Sequence, residues 1–309
     1  MNNIISWKTT RVKMVCECDF DIERVLPAYY GLEKNSDKDY SKEFVIKMAD
    51  TNEINWNKKK SRVTLSVKKI DDDVYNAVIV ILNVLIKLDL QEKGMYILHA
   101  SSVAVDNRVL LLFGSSGSGK TATLIHLGLG NKAAFLSNGS TVVAYDGKEC
   151  RVAGTYKTGI KIRKSTLKQY DTQLCNKIFG SDAEDNDYDQ KKVISPEQMH
   201  IKDGLELLNE NKEIEIYIIQ LDKVNNEIQH NTEYDYKVSM QIYEDLSREL
   251  DCSEVFINID GQLLYIPSFD DEELYKNRVD FINYFMKKHY RGTLMGGIDE
   301  VCARLLKEA

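Results

Sequence analysis

Proline is scarce in this 309-residue chain, with three in all, and the six cysteines include no C-x-x-C pair. So few prolines leave no Pro-rich linker, and neither a repeat nor a long low-complexity tract breaks the chain. The cysteines and the five histidines show no metal-ligand spacing. Cys16 and Cys18, two apart, would share one face of a strand and read as ordinary strand residues. With no signal peptide in evidence, reduced thiols in a cytoplasm are the expectation. Long apolar runs are missing too. The strongest, Ala77 to Ile86, is broken by Asn83 and is about half the length a membrane-spanning helix needs, so it reads as a buried core helix. A formal charge of -7 argues against general nucleic-acid binding, which needs clustered Lys and Arg, though local basic patches are compatible with it. Neither an N-K-x-D guanine motif nor an L-S-G-G-Q transporter signature occurs, which weakens GTPase and ABC-type readings.

What the chain does contain is a phosphate-loop pattern in its proper context. Leu110-Leu111-Leu112-Phe113 reads as a buried strand, Gly114-Ser115-Ser116-Gly117-Ser118-Gly119 as a tight turn, and Lys120-Thr121 opens a helix through Ala122 to Leu129. Gly114, Gly117 and Gly119 let backbone N–H groups approach phosphate oxygens, and the helix directs its positive end at the same place. Lys120 would reach the β- and γ-phosphates of a nucleotide, and Thr121 would offer its hydroxyl to Mg²⁺. A Gly/Ser hinge would need neither the Lys-Thr pair nor the strand.

At this length the chain can form one large domain or two ordinary ones. Residues 1–93 are expected to form a β-rich layer with a linking helix, Asp71 to Leu90, whose acidic first turn suits the helix dipole and which ends near Gly94. Short alternating runs at Arg11 to Phe20, Phe44 to Met48 and Arg62 to Lys68, with a turn at Asn35-Ser36-Asp37, support that layer. Residues 94–309 are expected to form the nucleotide-binding domain. There, Tyr96 to Val105 and Arg108 to Phe113 read as strands of a hairpin turning at Asp106-Asn107. Further strands are expected at Ala133 to Ser137, Thr141 to Tyr145, Cys150 to Ala153, Gly159 to Arg163 and Glu213 to Leu221. Helices are expected at Lys237 to Leu250, Asp270 to Lys288 and Ile298 to Lys307. Residues 181–192 read as an acidic surface loop in preference to a metal site or an active-site lid. The fold class is α/β (α+β), with a mixed sheet carrying the loop.

The order Leu98-His99-Ala100-Ser101-Ser102-Val103-Ala104-Val105-Asp106, a turn, a strand, then Gly114 to Thr121 resembles the catalytic domain of HPr kinase/phosphorylase and its relatives. The resemblance covers roughly residues 95–165 and runs less specifically through Phe135-Leu136-Ser137-Asn138 to Gly154-Thr155 and Ile160 to Arg163. It implies a phosphoenolpyruvate-carboxykinase-like nucleotide fold that binds ATP and Mg²⁺ and transfers phosphate to a serine hydroxyl of a partner protein or, in some relatives, to a peptide. Family members often assemble into hexamers, which leaves a homo-oligomer open, although no segment here marks an assembly surface. One departure stands out. The family's acidic pair, one member of it a general base, corresponds here to Asn138 and Gly139, neither of which can take a proton.

His99 matches the family's histidine, which implies a place near the γ-phosphate or its metal water; a lone histidine beside Leu98 and Ala100 reads equally as a core residue. Asp222 ends an apolar strand as a Walker-B-type metal ligand would, but strand-end aspartates also begin turns, here with Asn225-Asn226. Asp146-Gly147 is a turn signal. Lys161 and Arg163, two apart on an expected strand, share a face and suit a phosphate, an acidic substrate or solvent. Lys157 and Lys164 extend that cluster, and Arg291 in an expected Arg291-Gly292-Thr293 turn is a further cationic candidate. Two functions follow from these residues. One is a kinase acting on a hydroxyl of a protein, peptide or small molecule. The other is a nucleotide-binding accessory or scaffold protein without turnover, favoured by Asn138-Gly139.

Overall fold

In chain order the first strands are β1 (Asn2–Trp7), β2 (Thr10–Cys16), β3 (Gly31–Lys34), β4 (Lys42–Met48), β5 (Glu53–Asn57) and β6 (Arg62–Val67), followed by helix α1 (Asp72–Glu92). Then come β7 (Met95–Leu98), β8 (Ser101–Val105), β9 (Arg108–Phe113), α2 (Lys120–Leu129), β10 (Ala134–Asn138), β11 (Thr141–Tyr145), β12 (Cys150–Thr155), β13 (Ile160–Arg163), α3 (Lys164–Tyr170), α4 (Thr172–Phe179) and β14 (Lys191–Ile194). The chain finishes with β15 (Glu213–Leu221), β16 (Gln229–Asn231), α5 (Tyr236–Asp251), β17 (Phe256–Ile259), β18 (Gln262–Tyr265), α6 (Glu272–His289), β19 (Tyr290–Gly296) and α7 (Ile298–Lys307). This is a computed structural model, and it describes residues 2–307 except 28–29, 35, 37, 130–131, 158, 181–189, 210–211, 223–226, 235 and 253–254. Most of the turn at residues 35–37, the Asn225-Asn226 turn and positions 181–189 of the acidic stretch therefore lie outside the described residues.

The chain divides into two compact units, Met1–Tyr96 with Met240–Asp280, and Ile97–Ser239 with Phe281–Ala309. The first is built on a six-stranded sheet of order β3-β1-β2-β4-β6-β5, with β2, β4 and β6 parallel. Asp71 starts α1 by accepting from the Val74 N–H at 3.3 Å, and Asp72 and Asp73 place negative charge at its positive end. At the other end Gly94 takes φ +67°, and its N–H caps the Gln91 carbonyl. Within the same unit the fully buried Arg278 donates to Gln91 at 3.0 Å and pairs with Asp270.

The second unit carries a six-stranded mixed sheet of order β10-β8-β9-β15-β19-β16. Its centre, β9-β15-β19, is parallel, and its flanks are antiparallel. The β8–β9 hairpin turns at Asp106-Asn107, where Asp106 adopts φ +49°, as short polar turn residues can. All six residues of β9 are buried, the pattern of a strand covered on both faces. Leu110, Leu112, Tyr217, Ile219 and Leu294 pack with Leu124, Ile125 and Leu127 of α2 and with Val301, Cys302 and Leu305 of α7.

Three local expectations are corrected. The segment 96–105 is not one strand: the Ala100 N–H donates to the Leu98 carbonyl at 2.8 Å, and this tight turn at His99-Ala100 moves the chain from one sheet to another. Arg291 to Thr293 form strand rather than turn, because β15 supplies a partner edge that a local pattern does not reveal. Lys191 and Lys192 lie in β14, paired to β13, rather than in a loop.

Candidate functional site

The loop 114–119 leaves the carboxyl end of β9 and is stitched to the carboxyl end of β15. Phe113 is in register with Ile218, and the Leu221 N–H donates to the Ser118 carbonyl at 2.8 Å. Two glycines are required by this closeness. A Cβ on Gly114 (φ +144°) would lie 2.7 Å from the Ile219 carbonyl oxygen, and one on Gly119 (φ +103°) would lie 2.3 Å from Leu221 Cγ. Gly117 faces open space and is needed for its φ of +86° alone. Gly117 and Gly119 take positive φ with Ser118 between them outside that region, the kind of alternation from which anion-binding nests are built. The first helical bond of α2 runs from the Thr123 N–H to the Gly119 carbonyl at 2.8 Å, so Thr121 and Ala122 lie in the first turn, whose N–H groups precede the helical ladder.

Lys120 is 9% exposed, and its ammonium donates to the carbonyls of Gly114 at 2.5 Å and Ser115 at 3.0 Å. The cation is thereby held along the loop. Ser115 and Ser116 are exposed, whereas the Ser118 hydroxyl is buried against Gly114, and the Ser118 N–H is used within the loop by Ser115 O at 3.2 Å. A glycine cradle, a helix N-terminus and a buried ammonium form a donor set suited to the oxygens of a polyphosphate.

Beside the loop, Asn138 at the end of β10 binds three elements. Its Oδ1 accepts from the Lys161 N–H at 3.1 Å, which fixes the amide orientation, since a backbone N–H can only donate. Its Nδ2 therefore faces Thr121 Oγ1 at 3.1 Å and Ser101 Oγ at 3.3 Å. Sequence reading treats position 138 as a lost base, and nothing in its local pattern signals this bridge. Below it, the buried hydroxyls of Ser102, Ser137 and Thr141 bond to one another, with Ser137 and Thr141 at 2.6 Å. His99 is exposed at the sheet-changing turn and lies against Gly139, where an added Cβ would be 3.7 Å from the ring Cε1. The structure thus brings His99, Asn138 and Thr121 to one rim.

Asp222 directly follows Leu221, the residue that props Gly119, and its N–H donates to the Gly296 carbonyl at 2.9 Å. The residue is exposed and follows the carboxyl end of β15, whose parallel neighbour β9 leads into the loop at its own carboxyl end. Thr121 and Asp222 could hold Mg²⁺, an ion that completes its shell with phosphate oxygens and water. Among the described residues no group of three or more His, Cys, Asp or Glu is arranged for a metal ion. Lys161 and Arg163 share the outward face of β13, while Ile160 and Ile162 are buried. The Asp146 carboxylate closes its own turn by accepting from the N–H groups of Lys148 and Glu149, which holds it below the usual carboxylate range. Arg291 pairs with Glu213 at 2.7 Å, at the amino end of β15 and away from the loop. Tyr170 donates to the Ala122 carbonyl at 3.0 Å and packs on α2, and burial pushes its phenol up to about 12.

No protein-family model matches the chain, and no curated protein matches it. No helix among the described residues is long and apolar enough to cross a membrane. Among solved structures, the HPr(Ser) kinase/phosphatase from Coxiella burnetii is similar to this chain at 10% identity with a TM-score of 0.21, covering 70% of this chain and 100% of that one. That is a weak similarity at the level of the fold.

Proposed function

We propose that the chain is an HPr-kinase-like ATP-binding protein of the cytoplasm that transfers the γ-phosphate of ATP to a hydroxyl of a protein, peptide or small molecule. The observation that carries this reading is the joint geometry of Gly114–Thr121: a buried strand, a loop closed against β15 at glycine-only distances, and a lysine held along it at the head of a helix. The antiparallel hairpin and His99 leading into that strand support the family resemblance over a generic phosphate loop.

ATP, when bound, supplies the phosphoryl group. The first-turn amides of α2 and the Lys120 ammonium hold its anionic oxygens, and Thr121 and Asp222 offer oxygen ligands to Mg²⁺. His99 orients the reacting end from the rim. As the acceptor oxygen forms its bond to phosphorus, the bond to the bridging oxygen breaks and ADP leaves. The acceptor's proton passes to water at this exposed rim, because neither Asn138 nor Gly139 can take it. Phosphoryl transfer depends chiefly on positioning and charge stabilisation, so the missing base slows the reaction without forbidding it.

The second reading, a nucleotide-binding accessory protein without turnover, is favoured by one observation: the Asn138 amide is fully engaged with Thr121, Ser101 and Lys161 where the family has a carboxylate. Incubation with γ-labelled ATP, Mg²⁺ and a lysate of the source organism separates the two. Label transfer that Lys120→Ala abolishes supports the kinase, and tight ATP binding with neither transfer nor hydrolysis supports the accessory. Thermal stabilisation by ATP that survives combined Lys120→Ala and Thr121→Ala refutes both, because the gain tracks affinity for the folded chain.

A further inference from the structure

We infer that the outward face of the β13–β14 ribbon docks an acidic, hydroxyl-bearing peptide segment, the acceptor of the proposed transfer, on which reading this inference rests. In the antiparallel register Arg163 lies directly opposite Lys191, and Lys161 opposite Val193, so these four side chains share one face. Ile160, Ile162 and Ile194 are buried on the other. Like charges directly opposed across two strands destabilise the pair. Here one such pair, Arg163 and Lys191, shares its face with a third cation, Lys161, in a chain with 48 acidic and 41 basic residues.

The neighbouring Lys192 has a structural task, donating to the Ile178 carbonyl at 2.6 Å while its ammonium lies over the Phe179 ring. Lys161 and Lys191 are exposed and make no ion pair among the described residues. Val193, 63% exposed, adds an apolar contact between the cations. Four paired residues make a stripe of about 13 Å, longer than a phosphate group and matched to an extended peptide.

The ribbon also leads to the transfer site. The Lys161 N–H is bound by Asn138, and that same amide holds Thr121, so one side chain separates the basic stripe from the loop threonine. A nucleic acid is the poorer fit, since the net charge of -7 repels a long polyanion.

The test is fluorescence anisotropy of the full chain, without nucleotide, using a labelled peptide of alternating Glu and Ser, its Lys/Ser counterpart and a labelled oligonucleotide. We expect binding of the acidic peptide alone, weakened by salt, and a loss of roughly tenfold or more in Lys161→Glu/Lys191→Glu, the scale of removing two charge contacts. The single Lys191→Glu should leave ATP affinity within about twofold, because Lys191 pairs with β13 and makes none of the contacts that hold Lys120 along the loop. Equal binding of both peptides, tighter binding of the oligonucleotide, or an unchanged affinity in the double variant overturns the inference. So does acidic-peptide binding that appears only after Asp182, Glu184, Asp185, Asp187 and Asp189 are neutralised, which assigns the face to the chain's own acidic stretch. Because no nucleotide is present, failure here is distinct from failure of the ATP reading.

Discussion

Replacing Asn138 with alanine removes three hydrogen bonds at once: Lys161 N–H to Oδ1 at 3.1 Å, Nδ2 to Thr121 at 3.1 Å and Nδ2 to Ser101 at 3.3 Å. A typical hydrogen bond contributes about 1 kcal/mol net, so the upper bound is about 3 kcal/mol. The Thr121 hydroxyl can rotate toward water, whereas Ser101 is 1% exposed and cannot, so the expected loss is about 2–3 kcal/mol. The Lys161 N–H has no such freedom. Its hydrogen exchange should therefore accelerate by about 5- to 30-fold, the equivalent of roughly 1–2 kcal/mol of lost protection. Exchange is the right assay because both tryptophans, Trp7 and Trp56, lie in the first unit, and their fluorescence does not report on the second. Asn138→Asp is the control. Its carboxylate can accept from the Lys161 N–H and from both hydroxyls, so exchange at Lys161 should stay within about threefold of wild type. An alanine variant with unchanged exchange at Lys161, or an aspartate variant as fast as alanine, would refute the proposed bridge.

Other perturbations address the loop, the first unit and pH. Gly119→Ala should cost about 2–4 kcal/mol in thermal melts, from strain at φ +103° plus the clash with Leu221. Gly117→Ala, strained but facing open space, should cost about 1–2 kcal/mol, and equal costs would mean that β15 does not support the loop. Arg278→Ala leaves Gln91 and Asp270 without their buried partner and should lower the stability of the first unit by about 3 kcal/mol, read by tryptophan fluorescence. A loss below about 0.5 kcal/mol would rule out that role. Burial depresses the His289 pKa below 6.5, while its Nδ1 bonds the Ile214 carbonyl at 3.1 Å. The unfolded chain then binds the extra proton between the lowered folded value and about 6.5, so stability rises with pH across that window and is lost as pH falls through it. His289→Asn should flatten this dependence in urea titrations followed by circular dichroism, and an unaltered slope would assign the dependence elsewhere.

Some of this molecule is written in short stretches of its sequence. The strand Arg108–Phe113 and helix Lys120–Leu129 on either side of the glycine-rich loop, the Asp106-Asn107 hairpin, β15 at Glu213–Leu221 and α7 at Ile298–Lys307 occur where the sequence places them. Glycine spacing, turn residues and apolar periodicity act over a few residues, so each segment carries its own instruction. The remainder was settled only by partners distant in the chain. The strand at Arg291 to Thr293 needs β15 beside it, and the break at His99-Ala100 exists because β7 and β8 join different sheets. Residues 240–280 pack with the first unit across a long separation in sequence. The candidate site divides the same way. Its loop and Lys120 are contiguous and could be read directly, whereas the meeting of Asn138 with Thr121 and Lys161, and the opposition of Arg163 and Lys191, depend on β10, β13 and β14 being brought together. A side chain's type is local, but its hydrogen-bond partner is chosen by the packing of the whole sheet.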